Sequence, residues 1–304
     1  MPNTDSDARP PFKSGFVAIV GRPNAGKSTL INALVGEKVS IVTTVPQTTR
    51  NRILGVVNGP NAQIVFMDTP GIHKPFSRLN AQMMKFVRAA LEERDLALLI
   101  VDATEKFGKG DEFALALLRE YSPKTLLLLN KIDRVAKPSL LPLMDRYSKL
   151  FPFEEILPIS ALKGEGLDEL LRILIPLLPE GPAFFPPDIY TDQPERFLAS
   201  EIIREKVIQQ THKELPYVTA VMIDEFKESP AITRIHSTIM VEKDSQKPIV
   251  IGAGGQRIKE IGTAARVDLE RLFPPKVFLQ LYVKVKPNWR DDRAVVSELD
   301  YRQE

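Results

Sequence analysis

A phosphate-binding loop is the first feature of the sequence that could do chemistry. Residues 21–28 read GRPNAGKS and satisfy the pattern G-x-x-x-x-G-K-[ST]; they follow the apolar run FVAIV and open a helical pattern. In such a loop backbone N–H groups and the helix N-terminus face nucleotide phosphates. We expect Lys27 to reach the β- and γ-phosphates and the Ser28 hydroxyl to bind Mg²⁺. The predicted nucleotide contacts in this loop are Gly21, Asn24, Ala25, Gly26, Lys27, Ser28 and Thr29.

Two short motifs at the ends of apolar runs resemble the base-recognition segments of GTPases, which implies that the base is guanine. The segment 130–133 reads NKID and the segment 160–162 reads SAL. A carboxylate at Asp133 can accept hydrogen bonds from guanine N1–H and the N2 amine, a pair of donors that adenine does not offer. Each motif alone is weak, and their order behind the phosphate-binding loop makes them specific. The predicted base-site residues are Asn130, Lys131, Asp133, Ser160, Ala161 and Leu162.

The segment DTPG, residues 68–71, predicts the contacts to Mg²⁺ and the γ-phosphate. We expect Asp68 to hold Mg²⁺ through water, the Gly71 N–H to meet the γ-phosphate, and Thr69 and Pro70 to complete the turn. The segment VPQTTRNR (45–52) is interpreted as a switch loop that the γ-phosphate orders. Thr49 is its predicted magnesium-sensing residue, and Thr48 is an alternative that the pattern leaves open. The predicted metal ligands are Ser28, Thr49 and Asp68, and the predicted catalytic residues are Lys27, Thr49 and Gly71.

Two positions bear on how GTP would be hydrolysed. Ile72 stands where Ras-like enzymes carry a glutamine that orients water. An isoleucine cannot orient water by hydrogen bonding, so the sequence predicts slow intrinsic turnover. Asn24 matches the position that related GTPases use to hold K⁺ near the phosphates, which makes K⁺ a second candidate cofactor beside Mg²⁺.

The elements that must position these motifs alternate in type. Apolar strand-like runs lie at 16–20, 53–58, 63–67, 96–101, 125–130 and 154–160, and helical patterns at 27–35, 79–92, 111–120, 139–149 and 167–178. Such alternation predicts an α/β domain with a mostly parallel sheet and helices on both faces. The predicted organisation is a flexible tail (1–14), this domain (15–180), a proline-rich linker (181–195) and a second domain (196–304).

The second half has the order α-β-β-α-β and carries its own glycine loop. Residues 250–258 read VIGAGGQRI, and a GxxG loop leading into a helix allows close approach to a sugar–phosphate backbone. Residues 243–290 contain ten Lys or Arg and four Asp or Glu, a balance of +6 that favours a nucleic-acid partner. Ile258 and Ile261 are expected to line an apolar groove. The predicted RNA-binding residues are Gly252, Ala253, Gly254, Gly255, Arg257, Ile258 and Lys259.

Composition excludes several other kinds of site. The chain of 304 residues has no cysteine, which excludes disulfides, thiolate zinc sites and a cysteine nucleophile. Its three histidines, His73, His212 and His236, are scattered, so a divalent ion would need oxygen ligands. No run approaches the roughly 20 apolar residues of a membrane span, and residues 1–11 lack the apolar core of a secretory signal. A cytoplasmic location is expected.

Together the motifs resemble the Era family of Ras-like bacterial GTPases. The resemblance rests on GRPNAGKSTLINALVG, PQTTRNRI, DTPGIHKP, NKID and ISALKGEG in the first half, and on RFLASEIIREK, ELPYVTAV, the GxxG segment and LYVKVKPNW in the second. It implies an α/β P-loop GTPase domain followed by an α+β type II KH domain. It also implies binding to the 3′ end of small-subunit ribosomal RNA in the GTP state, a role in small-subunit assembly, peripheral contact with the inner face of the membrane, and a monomer.

Two other functions compete with a GTP-controlled RNA-binding switch. One is a GTP-dependent factor for RNA modification; relatives of that kind carry extra catalytic domains or cysteines, and this sequence has neither. The other is a constitutive RNA-binding protein with a degenerate nucleotide domain. Retention of Lys27, Ser28, Asp68, Asn130 and Asp133 opposes it. Trp289 is interpreted as a core or interdomain aromatic residue, with base stacking as the alternative.

Overall fold

The computed structural model describes residues 11–46, 48–72, 77–121, 124–211, 215–273 and 276–299. The strands are β1 (Lys13–Gly21), β2 (Ile53–Asn58), β3 (Ala62–Asp68), β4 (Leu96–Asp102), β5 (Thr125–Asn130), β6 (Glu155–Pro158), β7 (Ala220–Lys227), β8 (Thr233–Val241) and β9 (Val277–Val285). The helices are α1 (Lys27–Val35), α2 (Arg78–Glu93), α3 (Lys109–Tyr121), α4 (Leu140–Ser148), α5 (Leu167–Leu177), α6 (Glu195–Gln210), α7 (Leu215–Val218), α8 (Lys247–Ile251), α9 (Gln256–Leu272) and α10 (Arg293–Glu298).

The first domain is the predicted α/β layered sheet. In the described residues its strand order is β2-β3-β1-β4-β5-β6, with β2 antiparallel to β3 and the other neighbouring strands parallel. Side chains of β1 alternate between two cores, with Val17 and Ile19 in one and Ala18 and Val20 in the other. Helices α1 and α5 cover the first core, and α2, α3 and α4 cover the second. Burial on both faces explains why these strands read as continuous apolar runs.

The second domain packs helices on one face of a smaller sheet. Its described strands run in the order β7-β8-β9, with β7 antiparallel and β9 parallel to β8. Helices α6 and α9 bury Ile202, Ile203, Ile261 and Leu269 against this sheet. The predicted order of elements is present, but the strand expected at 217–226 begins at Ala220, because the preceding residues form the short helix α7.

The proline-rich segment lies along β2, the edge strand of the first sheet. Val56 N donates to the carbonyl of Tyr190 at 2.9 Å, and the Thr191 hydroxyl donates to the carbonyl of Leu54 at 2.7 Å. Gln63 accepts from the backbone N–H of Phe184 at 2.7 Å. The segment therefore pairs with an exposed sheet edge, where it satisfies backbone groups that would otherwise face solvent.

Two predicted boundaries differ from the structure. Strand β1 begins at Lys13, inside the tail expected over 1–14, because residues 13–19 pair with β3. Helix α6 begins at Glu195, the last residue of the expected linker. Residues 1–10 of the expected tail, residues 300–304 of the expected second domain, and His73 and His212 lie outside the described residues.

An apolar cluster joins the two domains. Leu79 and Met83 of α2 meet Met240, Trp289 and Val295 of the second half. Trp289 is fully buried, and its indole N–H donates to the carbonyl of Val218 at 2.7 Å. This excludes base stacking by Trp289 in this arrangement and makes it an interdomain anchor. Among the described residues no helix is long and apolar enough to cross a membrane.

Candidate functional site

The phosphate-binding loop joins β1 to α1 as predicted. Gly26 precedes the helix with φ of 105°, a conformation that favours glycine. A Cβ atom there would lie 2.2 Å from the Asn130 side-chain nitrogen, so no larger residue fits. The Lys27 ammonium folds back over the loop and donates to the carbonyls of Gly21 at 3.1 Å and Arg22 at 2.9 Å. The loop thus holds the Lys27 ammonium against two of its own backbone carbonyls.

Burial perturbs the two charged groups at the base of the loop. Burial lowers the pKa of Lys27 to about 8, and the nearby Asp68 carboxylate opposes that shift. Burial likewise raises the pKa of Asp68, against the effects of the Lys27 charge and hydrogen bonds from Ser28 and Ser40. Perturbed titration of buried groups in a cleft marks functional sites in many proteins.

The three predicted metal ligands meet at one point. The Ser28 hydroxyl lies 2.9 Å from the Thr49 hydroxyl and donates to Asp68 Oδ2 at 2.8 Å. The Thr48 hydroxyl instead lies 2.6 Å from that of Thr43 and donates to the carbonyl of Val45. Of the two threonines that the sequence left open, the geometry therefore favours Thr49.

The oxygen set fits a magnesium ion. Asp68 Oδ1 is buried and has no hydrogen-bond partner among the described residues, while Oδ2 accepts from Ser28 and Ser40. A buried carboxylate oxygen without a donor is costly unless a cation binds it. Hydroxyl and carboxylate oxygens are also the ligands that Mg²⁺ prefers. When bound, the ion would neutralise charge on the β- and γ-phosphates.

The base-site motifs brace the pocket, and Lys131 also lines it. The Asn130 side chain donates to the carbonyl of Ala25 at 2.8 Å and accepts from the Ala161 N–H at 2.9 Å, so it ties the phosphate-binding loop to the segment 160–162. The exposed Asp133 accepts from the Ser160 hydroxyl at 2.6 Å, which orients its carboxylate. Lys131 pairs with Asp102 at 2.5 Å.

A cavity of about 300 Å³ is lined by some of the predicted nucleotide-site residues. Its predicted lining residues are Asn24, Gly26, Lys27, Ser28, Thr29, Thr49, Gly71 and Lys131. Other predicted residues are buried behind this wall, namely Gly21, Ala25, Asp68, Thr69, Pro70, Asn130, Ser160 and Ala161, whereas Leu162 is exposed. The sequence did not predict Ser40, whose hydroxyl donates to Asp68, nor Arg134 and residues 41–44, which line the cavity. No motif marks residues 40–44, while Arg134 directly follows NKID.

The residues linked to hydrolysis occupy distinct places. Ile72 is 2% exposed, lies in the core beneath the sheet, and donates its N–H to the carbonyl of Gly21 at 3.1 Å. Its side chain therefore does not reach the cavity. The Asn24 side-chain nitrogen donates to the carbonyl of Thr44 at 2.9 Å. In the described part of the chain its oxygen, the atom that would bind K⁺, has no hydrogen bond.

The glycine loop of the second domain lies at the N-terminus of α9. Gly252 has φ of 77°, and a Cβ there would lie 2.7 Å from that of Arg257, so the turn requires glycine. Ala253, Gly254 and Lys259 are exposed, whereas the Arg257 guanidinium donates to the carbonyl of Ile249 and braces the loop.

A groove between α9 and β9 continues from this loop. Its cavity of about 490 Å³ is lined by apolar and basic residues, namely Ile258, Lys259, Gly262, Thr263, Arg266, Leu279, Gln280 and Leu281. The expected role of Ile261 in this groove is wrong. Its side chain is fully buried in the core, because it lies on the opposite face of α9 from Lys259.

Comparison with known proteins identifies the family. A family model described as "50S ribosome-binding GTPase" matches residues 16–131, and a KH-domain model matches residues 214–290. GTPase Era of Syntrophus aciditrophicus is 51% identical over 96% of both chains, and GTPase Era of Geobacter metallireducens is 49% identical over 96% of this chain and 98% of its own. The chain belongs to the Era family of GTPases.

Solved structures of this family agree with the fold along nearly the whole chain. Era in complex with MgGDPNP and nucleotides 1506–1542 of 16S ribosomal RNA has a TM-score of 0.92 and 44% identity, and covers 95% of this chain and 99% of its own. A variant of Aquifex aeolicus Era bound to GDP·AlF₄⁻ matches with the same values. The predicted fold is confirmed: a P-loop GTPase domain followed by a type II KH domain. As a member of this family the chain is an enzyme that hydrolyses GTP.

Proposed function

We propose that the chain is a switch of small ribosomal subunit assembly that binds single-stranded ribosomal RNA when GTP is bound and releases it after hydrolysis. One observation carries the proposal. A nucleotide cavity and a GxxG groove occur in a chain that superposes on Era holding MgGDPNP and part of 16S ribosomal RNA. We place the RNA, a segment of the 3′ end of the small-subunit RNA, in the groove beside Gly252–Gly255, where KH modules clamp about four nucleotides.

We assign roles at the nucleotide site from its contacts. Lys27 holds the β- and γ-phosphates, and Gly71 donates its N–H to the γ-phosphate. Ser28, Thr49 and Asp68 supply the magnesium ligands, since their oxygens converge. Asp133 reads guanine, held in place by the Ser160 hydroxyl. These groups act by positioning and by electrostatics, which is how phosphoryl transfer is catalysed in P-loop enzymes.

Slow turnover and a second cation are part of the proposal. Because Ile72 lies in the core, no side chain at that position orients the attacking water. A K⁺ ion held by the Asn24 side-chain oxygen would supply positive charge near the phosphates, and the amide nitrogen of the same side chain bonds to Thr44, which directly precedes the switch loop.

We further propose a cytoplasmic location, because the proposed partner is ribosomal RNA, and we propose that the chain acts as a monomer. Membrane contact, which the resemblance implies, stays a prediction. A GTP-dependent RNA-modification factor is not favoured, since the relatives that match over 96% of the chain are named GTPase Era. A degenerate nucleotide domain is disfavoured by the convergence of Ser28, Thr49 and Asp68.

The test measures RNA affinity with a GTP analogue, with GDP and without nucleotide. Gly254→Asp places a negative charge in the GxxG loop, where a side chain has open space. Gly36→Asp is the matched control, because Gly36 has a similar left-handed backbone and open space at the C-terminus of α1. We expect tighter RNA binding with the GTP analogue and a loss confined to Gly254→Asp. Equal RNA affinity in all three states would refute the switch.

A further inference from the structure

The second domain holds the loop that carries Thr49. We call the described residues 38–46 and 48–52 the switch segment. Apart from its contacts at the nucleotide cavity, this segment bonds to the second domain at Lys38, Val42, Thr48, Arg50 and Asn51. The predicted magnesium ligand Thr49 therefore lies between two residues that are both anchored outside the GTPase domain.

Arg50 makes three hydrogen bonds to the second domain. Its guanidinium donates to the carbonyl of Thr219 at 2.8 Å, to that of Pro216 at 3.1 Å and to that of Tyr217 at 3.2 Å. It also lies 5.5 Å from the centre of the buried Trp289 ring. The side chain is 9% exposed. A planar guanidinium is the group that can serve three carbonyls and an aromatic face at once.

Arg204 of α6 anchors the other side of Thr49. Its guanidinium donates to the carbonyl of Thr48 and pairs with Glu201 on the same helix. Arg204 is 3% exposed, so water does not compete for this contact. Glu201 balances its charge and fixes its orientation through two hydrogen bonds.

A charge cluster fastens the beginning of the switch segment. Lys38 pairs with Glu205 of α6 at 2.6 Å and with Asp268 of α9 at 3.0 Å, and Lys206 bridges the same two carboxylates. Glu205 also accepts from the Val42 N–H at 3.1 Å. Paired and largely buried charges of this kind are costly to separate. The segment is therefore fixed at both ends against the second domain.

The anchors restrict where the Thr49 hydroxyl can be. Neighbouring Cα atoms are about 3.8 Å apart, so a residue between two anchored neighbours cannot move independently of them. The Thr49 hydroxyl lies 2.9 Å from that of Ser28 in this arrangement. Release of Thr48 and Arg50 would remove the anchors on both sides of this contact.

We propose that Arg50 is a positioning residue for GTP hydrolysis: through its bonds to the backbone of the second domain it holds Thr49 in the magnesium site, so that the RNA-binding half completes the GTPase centre. The inference rests on the proposed role of Thr49 as a magnesium ligand. Because coupling between two sites is reciprocal, GTP and Mg²⁺ must in turn stabilise the docked second domain. Nucleotide state thereby changes RNA affinity without direct contact between the two ligands.

The experiment compares Arg50→Ala, Arg50→Lys and Arg52→Ala in the full chain. Arg52 is the matched control, since it lies in the same segment but pairs with Glu93 of α2 within the GTPase domain. The readouts are the Mg²⁺ concentration for half-maximal GTP hydrolysis, the affinity for GDP, and the ratio of RNA affinities with GTP analogue and GDP. GDP binding is the internal reference, because switch loops are ordered by the γ-phosphate and released on hydrolysis.

For Arg50→Ala we expect the magnesium requirement to rise about 10-fold or more, within the range of typical coupling. GDP affinity should stay within about twofold and the RNA affinity ratio should approach one, since the anchor acts only in the GTP state. Arg50→Lys should recover part of the loss, because one ammonium cannot serve three carbonyls in this plane. Arg52→Ala should match the wild type.

Two results would overturn the inference: an unchanged magnesium requirement, or a loss of GDP affinity as large as the rise in the magnesium requirement, which would indicate a general loosening of the site. If Arg50→Ala does not fold, Arg50→Lys replaces it, because the ammonium keeps the positive charge but cannot serve three carbonyls in this plane. A rise of about threefold in its magnesium requirement supports the inference, given the smaller loss of coupling. No change overturns it. If the RNA affinity of the wild type does not depend on the bound nucleotide, the proposed switch is refuted. The magnesium data would still decide the role of Arg50.

Discussion

Removal of the Asn130 amide should weaken nucleotide binding and stability together. Asn130 is 2% exposed and bridges two nucleotide-binding segments, through the carbonyl of Ala25 at 2.8 Å and the N–H of Ala161 at 2.9 Å. In Asn130→Ala both backbone groups lose their partner inside the protein. The phosphate-binding loop and the segment 160–162 are then no longer tied to one rigid strand end.

The size of both effects follows from these two bonds. A buried polar group left unpaired costs about 1–3 kcal/mol, so two should lower the free energy of unfolding by about 2–6 kcal/mol. Each bond contributes a net stabilisation of about 0.5–1.5 kcal/mol, so the loss of both should reduce the free energy of nucleotide binding by about 1–3 kcal/mol. That corresponds to a weakening of GTP and GDP affinity by about 5- to 150-fold.

The assay combines urea unfolding with titration of a fluorescent guanine nucleotide. Gln63→Ala is the matched control. Gln63 is a buried amide in the same domain, hydrogen-bonded to Asn58, Phe184 and Phe185. It lies at the end of β3 that is distant from Asp68. Its loss should destabilise the chain to a similar extent and leave nucleotide affinity unchanged.

Asn130→Asp refines the test. The aspartate keeps an acceptor for the Ala161 N–H but sets an oxygen against the carbonyl of Ala25, so it should weaken the phosphate-binding loop selectively. The reasoning is refuted if Asn130→Ala binds nucleotide like the wild type, or if Gln63→Ala loses as much affinity as Asn130→Ala does.

Three further outcomes follow from the site. Asp133→Asn should weaken GTP binding by about 10- to 150-fold, the value of a hydrogen bond to a charged group. It should also favour XTP relative to GTP, because a carbonyl of XTP accepts from the new amide; competition binding measures this preference. Ile72→Gln should not speed hydrolysis but should destabilise the chain by about 1–3 kcal/mol, because the amide would be buried in the core; a faster single-turnover rate would contradict it. Trp289→Phe leaves the Val218 carbonyl unpaired and should lower the free energy of unfolding by about 1–3 kcal/mol. If the substitution instead changes RNA affinity equally with GDP and with the GTP analogue, Trp289 contacts a base directly.

The elements were predictable because each leaves a local pattern. Strand β5 spans the apolar run that predicted it, since all of its residues are buried. Helix α1 spans its predicted pattern because Lys27, Leu30 and Ile31 recur at helical spacing on one buried face. Helix α7 was missed: four residues are too few for a period to show. The pairing of residues 181–194 with β2 was also invisible, because an irregular segment gives no signal of the edge it will cover.

By itself the sequence determined the two domains, the family and the chemical groups that meet nucleotide. Those properties depend on short segments such as GRPNAGKS and NKID, in which neighbouring residues act together. The tertiary structure alone decided that Thr49 and not Thr48 meets Ser28, and that Ile72 faces the core. It alone showed Arg50 bonded to carbonyls more than 160 residues away. Such contacts join segments that are far apart along the chain and that only folding brings together in space, so no local pattern records them.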